Sequence, residues 1–263
     1  MPLEGEPDLT LKAMREKIFG FRAEMAGTGS PLPGQAFILV AQDGTGDTDS
    51  IAEGLTLVGS GGMVWVKEGT YALTAGLTMK SDVILRGSGP KTIISGTPSP
   101  LIDCAGTNNA TIWDLNIQPG GAIGIACGSG TNLEIRSCFF SDAMTASIDC
   151  TNTIGAYIRD CHFLSISNTA ILFTNAERVQ VFDCWFELMV VAALGLNYTL
   201  ASVNNNAQGC YFLGTANVNN SVQYTAPPTT GNYLHGCFML NNALPTSIVN
   251  AGAANNFADN LEL

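Results

Sequence analysis

The sequence predicts an all-β fold, a single parallel β-helix, because two series of residues repeat at the same period. Within each series the members are 23 residues apart. The first series is Cys138, Cys161 and Cys184, and the second is Cys104, Cys127, Cys150 and Phe173. Coils that stack on one another share a core that no coil could bury alone. Two series in step therefore predict coils of about 23 residues.

The residues around each cysteine of the first series alternate in the manner of a β-strand. Residues 135–140 read Ile-Arg-Ser-Cys-Phe-Phe, and residues 158–163 read Ile-Arg-Asp-Cys-His-Phe. Apolar residues that recur at every second position are typical of strands with one buried face. The position of the cysteine, the Cys place, extends upstream to Leu115 and downstream to Cys210, Cys237 and Leu261. We assign the longer downstream intervals to longer loops.

Two helices are predicted before the repeats. Residues 8–25 carry apolar side chains at helical spacing, which predicts an amphipathic helix, and a Gly- and Pro-rich linker follows. We therefore divide the chain into an N-terminal α-helical arm with its linker, residues 1–34, and a β-helix, residues 35–263. Ser50 and Glu53 form a capping-box pattern, which predicts a short capping helix that ends at about Val58. The arm either covers the open end of the β-helix or docks on a partner.

The first coils are predicted from short strand segments separated by turn residues. These segments are residues 37–40, 61–71 (a strand with its turn), 77–79, 83–85 and 91–95.

The charge of the chain excludes several functions. The net charge is −11 and no lysine follows Lys91, so a basic footprint for nucleic acid is absent. Every apolar run is interrupted by Gly, Asn or charge, so no membrane span is expected. Only 13% of residues are charged, although a solenoid has a large outer surface. This composition favours burial of part of that surface against partner subunits.

The eight cysteines are predicted to be free core residues. Side chains stacked on successive coils point in parallel, which suits a disulfide poorly. The N-terminus also lacks the basic and apolar regions of a signal peptide. We therefore expect synthesis in a reducing cytoplasm.

The first coils resemble those of a known superfamily. The matching runs are residues 40–47, Val-Ala-Gln-Asp-Gly-Thr-Gly-Asp, residues 64–71, Val-Trp-Val-Lys-Glu-Gly-Thr-Tyr, and residues 85–89, Leu-Arg-Gly-Ser-Gly. They resemble the opening of the pectate-lyase and pectinesterase superfamily and of the phage tailspikes that share its fold. The resemblance implies a right-handed β-helix, which agrees with the crossover rule for parallel strands. It also implies a structural or adsorption component of a phage virion, made in the host cytoplasm.

The catalytic motifs of the superfamily's pectinesterases and polygalacturonases do not occur in this sequence. We therefore expect a non-enzymatic protein. If the chain is instead a lyase or hydrolase that acts on acidic glycans, Asp160, Asp183 and Arg159 are the candidate catalytic residues. Two carboxylates at equivalent positions of adjacent coils could act as acid and base or share a Ca²⁺ ion. They could equally be turn residues that bind local backbone.

A second acidic cluster lies in the first Gly-rich turn. Asp43, Asp47 and Asp49 could hold a cation such as Ca²⁺, or could cap the short helix. We favour the cap and expect no cofactor.

The residue after each Cys place is predicted to point outward and to form an aromatic stripe. Its members are Phe139, His162, Trp185, Tyr211 and Phe238. Such a stripe could stack on sugar rings, form a seam between subunits, or be covered by the chain's own loops. We favour the seam in a homo-oligomer, expected to be a homotrimer by the tailspike resemblance. Other virion proteins could bind residues 1–34 or the C-terminal coil, for which no cap is predicted.

Overall fold

The computed structural model describes residues 34–121, 123–141, 145–166, 168–188, 194–214, 220–225, 231–240, 248–250, 256–258 and 261–262. The helix predicted over residues 8–25 lies outside these residues, so the arm stays a prediction. The described residues contain one α-helix, α1, at Ile51–Leu57.

The strands follow one another around the coils. In chain order they are β1 Gln35–Val40, β2 Val58–Val66, β3 Gly69–Leu73, β4 Leu77–Thr78, β5 Ile84–Arg86, β6 Thr92–Gly96, β7 Ile102–Asp103, β8 Thr111–Trp113, β9 Asn116–Pro119, β10 Ile123–Ala126, β11 Glu134–Arg136, β12 Phe139–Ser141, β13 Ala146–Asp149, β14 Tyr157–Arg159, β15 His162–Ile166, β16 Thr169–Thr174, β17 Gln180–Phe182, β18 Trp185–Leu188, β19 Leu194–Thr199, β20 Asn206–Gln208, β21 Tyr211–Gly214, β22 Asn220–Thr225, β23 Tyr233–His235, β24 Phe238–Leu240, β25 Ile248–Asn250, β26 Asn256–Ala258 and β27 Leu261–Glu262.

These strands form three parallel sheets, and each complete coil contributes one strand to each. Sheet A contains β1, β2, β5, β8, β11, β14, β17, β20, β23 and β26; sheet B contains β3, β6, β9, β12, β15, β18, β21, β24 and β27; sheet C contains β4, β7, β10, β13, β16, β19, β22 and β25. Equivalent residues of successive coils pair in parallel, as Ile135 does with Ile158. The predicted parallel β-helix is confirmed, with the coil length that the two series of residues indicate.

The five cysteines of the Cys place form a buried column at the turn from sheet A to sheet B: Cys138, Cys161, Cys184, Cys210 and Cys237. Each of its thiols approaches the backbone carbonyl two residues earlier at 3.2–3.5 Å. All eight cysteines are buried and remain thiols, as predicted. Burial raises the pKa of the Cys138 and Cys184 thiols, because an apolar core disfavours the thiolate.

Two residues after the cysteine, an inner column of aromatic rings fills the core. Phe140, Phe163, Phe186 and Phe212 stack face to face with centroids 4.6–4.9 Å apart. Parallel pairing at constant register fixes this spacing, since neighbouring strands lie about 4.8 Å apart.

Towards the C-terminal end of the β-helix, asparagines replace the apolar residues of one buried column, which continues from Val179 to Asn205 and Asn232. Asn205 and Asn232 are fully buried, and Asn205 accepts a 2.8 Å hydrogen bond from the backbone amide of Val179. The side-chain oxygen of Asn232 accepts hydrogen bonds from the backbone and side-chain nitrogens of Asn205, both at 3.0 Å. The two amides therefore satisfy each other and the surrounding backbone.

The predicted capping helix is confirmed. Ser50 is its N-cap, and the Ser50 hydroxyl accepts a hydrogen bond from the Glu53 amide at 3.3 Å. A Cβ atom on Gly54 would lie 3.0 Å from a methyl group of Val40, so a glycine there allows the helix to lie close to β1.

One assignment at the end of the chain is wrong. Leu261 pairs with Phe238, so it lies one residue beyond the Cys place. The predicted interval from Cys237 is one residue too long, because it was extended to the nearest apolar residue. Backbone pairing instead makes Leu261 the equivalent of Phe238, just as it makes Ala258 the equivalent of His235.

No helix in the described part of the chain is long and apolar enough to cross a membrane.

Candidate functional sites on two outer faces

The predicted aromatic stripe runs down the outer face of sheet B. Strand pairing places its five members in register on five successive coils. Trp185, Tyr211 and Phe238 are 39%, 44% and 42% exposed. The loops within the described ranges therefore leave these three rings uncovered.

The rings of the stripe also stack on one another. Tyr211 and Phe238 are nearly parallel, with centroids 5.0 Å apart, and Trp185 stacks on Tyr211 at 5.6 Å. Phe139 and His162 stack at 5.0 Å. The result is a ridge of pre-ordered aromatic surface, whose side chains lose little freedom when a partner covers them.

The candidate catalytic residues lie at the turn between sheet A and sheet B. Asp160 and Asp183 both have positive φ, 54° and 51°, and both side chains are exposed. Asp tolerates this left-handed conformation better than most residues, which is a sufficient reason for its presence at the turn. The carboxylate of Asp183 lies over Gly209 of the next coil, in the space that a Cβ atom at that position would need.

Arg159 points to a different carboxylate. Its Nη2 and Nε atoms donate to Oε1 of Glu134 at 2.6 and 3.0 Å, across to the preceding coil. In the described part of the chain, no hydrogen bond or ion pair joins Arg159 to Asp160 or Asp183. The structure places the three candidates on adjacent coils but does not connect them as a catalytic set.

Asp43, Asp47 and Asp49 lie in the turn before α1; Asp43 binds its own loop, and Asp47 binds strand β1. Oδ1 of Asp43 accepts hydrogen bonds from the hydroxyl and backbone amide of Thr45, which together lower the pKa of the Asp43 carboxyl. Oδ2 of Asp47 accepts a 2.8 Å hydrogen bond from the Leu39 amide. The helix cap is Ser50, so none of the three is the N-cap that the sequence suggested.

The ranges of residues that the structure describes contain no group of three or more His, Cys, Asp or Glu side chains arranged to hold a metal ion. The expectation of no cofactor and the alternative of a Ca²⁺ ion both stay predictions.

The outer face of sheet A carries a stack of two arginines and one aromatic ring that was not predicted from the sequence. The guanidinium groups of Arg86 and Arg136 lie on the ring of Trp113, at 3.9 and 3.7 Å from its centroid. Arg86 also forms an ion pair with Asp114 at 3.5 Å. Cation–π contacts of this kind hold the three side chains in fixed positions on neighbouring coils.

Beside this stack lies a shallow groove with a volume of about 540 Å³. Seven residues line it: Asn109, Thr111, Asn132, Glu134, Tyr157, Arg159 and Phe182. Of these seven residues, only Arg159 is a candidate site residue from the sequence. Glu134 and Tyr157 stand two residues before an arginine of the repeating phrase, so the alternation alone could have placed both on the outer face of sheet A.

Comparison with known proteins supports the fold. No family model and no curated protein matches the sequence. Among solved structures, pectin methylesterase from Aspergillus niger superposes with a TM-score of 0.68 at 13% identity, over 89% of this chain and 88% of that one. This chain and that enzyme share the parallel β-helix fold. A likeness at this identity concerns the fold alone.

Two phage proteins share the same fold. The tailspike of Escherichia coli bacteriophage HK620, solved in complex with a pentasaccharide, gives a TM-score of 0.55 at 14% identity, over 76% of this chain and 43% of that one. The N-terminal fragment of bacteriophage Phi29 gene product 12 gives 0.57 at 15% identity, over 75% of this chain and 38% of that one. This chain therefore spans less than half of either phage structure.

Proposed function

We propose that this chain is a non-enzymatic structural component of a phage particle and assembles as a homotrimer through the aromatic stripe. The observation that carries the proposal is the exposure of three stacked rings on sheet B in the isolated chain. An aromatic surface of this kind is typical of the centre of a protein interface.

The charge of the chain also supports contact through this face. Copies that each carry a net charge of −11 repel one another, so they associate best where charges are few. The stripe contains none of the lysines, arginines, aspartates or glutamates of the chain. Assembly through the stripe would therefore bring aromatic rings, rather than like charges, into contact. The number of copies, three, rests on the resemblance to tailspikes.

Particle membership rests on the shared fold with two phage proteins and on the absence of the superfamily's catalytic motifs. Mass spectrometry of purified phage particles tests it directly. Peptides of this chain should be present at a constant ratio to the other particle proteins. Their presence in the lysate but not in particles would remove the virion assignment.

Assembly is tested by the mass of the protein in solution. Sedimentation equilibrium should give three times the chain mass of 27.6 kDa. Tyr211→Glu places a charge in the middle of the stripe and should yield monomers. Tyr233→Glu is the matched control, because Tyr233 is a tyrosine of similar exposure, 49%, on sheet A. A monomeric wild-type chain, or equal dissociation by both variants, would refute the seam. Circular dichroism confirms that each variant is folded.

A further inference from the structure

We infer that the groove on sheet A is a binding site for a neutral oligosaccharide. The groove lies on a different sheet from the aromatic stripe, so the inference does not depend on the assembly proposed above. Its lining combines one exposed aromatic ring with fixed polar groups, which is the combination that sugar recognition requires. The ring contacts the C–H face of a pyranose, and the polar groups bind its hydroxyls.

The stacking platform is Tyr157. It is 44% exposed, and it pairs with Glu134 on one side and with Gln180 on the other. Phe182 is half-buried and extends the apolar lining one coil further, in register with Arg159. A flat ring of this size lets a sugar bury C–H surface without the ordering of a long flexible side chain.

The polar side of the groove is built around Glu134. Three guanidinium nitrogens converge on its Oε1: two of Arg159 at 2.6 and 3.0 Å, and Nη1 of Arg136 at 3.7 Å. Arg136 is itself held against Trp113. These contacts hold the carboxylate in place through Oε1, and none of the three involves its Oε2 atom. A carboxylate oxygen held in this way is a strong acceptor for a sugar hydroxyl.

The rim is an amide ladder at the turn into sheet A. Asn109 and Asn132 have positive φ, and their side chains connect successive coils: Asn109 donates to Asp82 at 2.9 Å, and Asn132 donates to Asn109 at 3.4 Å. Both asparagines are exposed. The ladder therefore presents oriented amides to the groove at the spacing of the coils.

The charges indicate a neutral ligand. Arg159 and Arg136 are engaged by Glu134, and Arg86 by Asp114. The chain as a whole carries a net charge of −11, which repels acidic polymers at a distance. Stacking and hydroxyl recognition then remain the main sources of affinity. Binding of this kind depends little on salt.

The test uses a microarray of neutral and acidic oligosaccharides from bacterial surfaces, followed by calorimetry with the best neutral hit. Tyr157→Ala should weaken binding by about tenfold or more, as loss of a central aromatic anchor does. Tyr157→Phe keeps the ring and should stay within about threefold of wild type. Tyr233→Ala is the matched control, from the same outward column three coils away, and should leave affinity unchanged.

Several results would overturn the inference. They are binding to no array oligosaccharide, binding to acidic sugars alone with strong salt dependence, and equal losses from Tyr157→Ala and Tyr233→Ala. A sugar that is lost on Trp185→Ala but kept on Tyr157→Ala would assign recognition to the stripe instead. A monomeric chain that still binds the neutral sugar through Tyr157 would reject the trimer and leave the groove standing.

Discussion

Two aromatic columns run side by side along sheet B and differ in one property. The inner column contains Phe163 and Phe186, and the outer stripe contains their chain neighbours His162 and Trp185. Both columns contain stacked rings at the spacing of the coils. The inner rings are fully buried, whereas Trp185 is 39% exposed. Ring stacking is thus a consequence of the β-helix itself, and only burial distinguishes a residue that stabilises the fold from one that needs a partner.

The largest effect is expected in the reactivity of the buried cysteine thiols, compared between the native and the unfolded chain. A maleimide reagent at neutral pH should label the native cysteines at least about a thousandfold more slowly than the unfolded ones, because only rare openings expose them. Burial also raises the pKa of Cys138 and Cys184, which lowers the thiolate fraction further. Intact-mass spectrometry follows the labelling. Rapid modification of even one cysteine in the native protein would contradict the burial described here.

Next in size is the effect of an inner ring on stability. Phe163→Ala removes a ring stacked on both sides and should lower the free energy of unfolding by about 3–5 kcal/mol. His162→Ala changes the neighbouring exposed residue and should cost less than about 1 kcal/mol. Urea denaturation at one protein concentration measures both. Equal losses would mean that the outer stripe contributes to the fold as much as the core does.

A smaller effect is expected from the buried asparagine pair. Asn232→Ala removes the acceptor of two Asn205 donors and should cost about 1–3 kcal/mol. Asn206→Ala changes the residue that follows Asn205, on the outer side of the strand, and as the control it should stay within about 0.5 kcal/mol. Urea denaturation again measures the difference. A neutral Asn232→Ala variant would show that the backbone finds other partners.

The smallest change in the chain's own stability is expected in the outer stripe. Trp185→Ala should shift the unfolding free energy of the separated chain by no more than about 0.5 kcal/mol. Its effect should instead appear as a loss of the dependence of the melting temperature on protein concentration, because assembly stabilises the folded chain by mass action. Calorimetry over a range of protein concentrations measures it. A concentration dependence that survives in Trp185→Ala would place the contact elsewhere.

The core and the stripe were predictable from the sequence because both repeat. Constant spacing reveals that Cys138 and Cys161 are equivalent, and alternation then fixes which neighbours point outward. The assignment of Leu261 is wrong because backbone pairing restores the interval of 23 residues there and makes Leu261 the equivalent of Phe238. The register is therefore read reliably where a cysteine marks the place, as at Cys210 and Cys237, and less reliably where any apolar residue is accepted instead.

The groove on sheet A was not predictable in the same way. Trp113 pairs in register with both Arg86 and Arg136, but the interval to Arg86 is the longer one, so the repeat does not mark Arg86 as their equivalent. Arg159 binds Glu134 diagonally across the coils, although its register partner is Arg136. The choice between such neighbours depends on side-chain rotamers, which leave no repeat in the sequence.

From β8 to β17 the register is constant, so the length of the β-helix is a whole number of equal coils in this region. Ile112, Ile135, Ile158 and Val181 occupy the same place in four successive coils. Excision of residues 139–161 would join Cys138 to His162 and remove one strand from each sheet without disturbing the joint on either side. Each such unit changes the length along the axis by about 4.8 Å. Duplication or deletion of whole coils can therefore alter the reach of the molecule in equal steps while its cross-section stays the same.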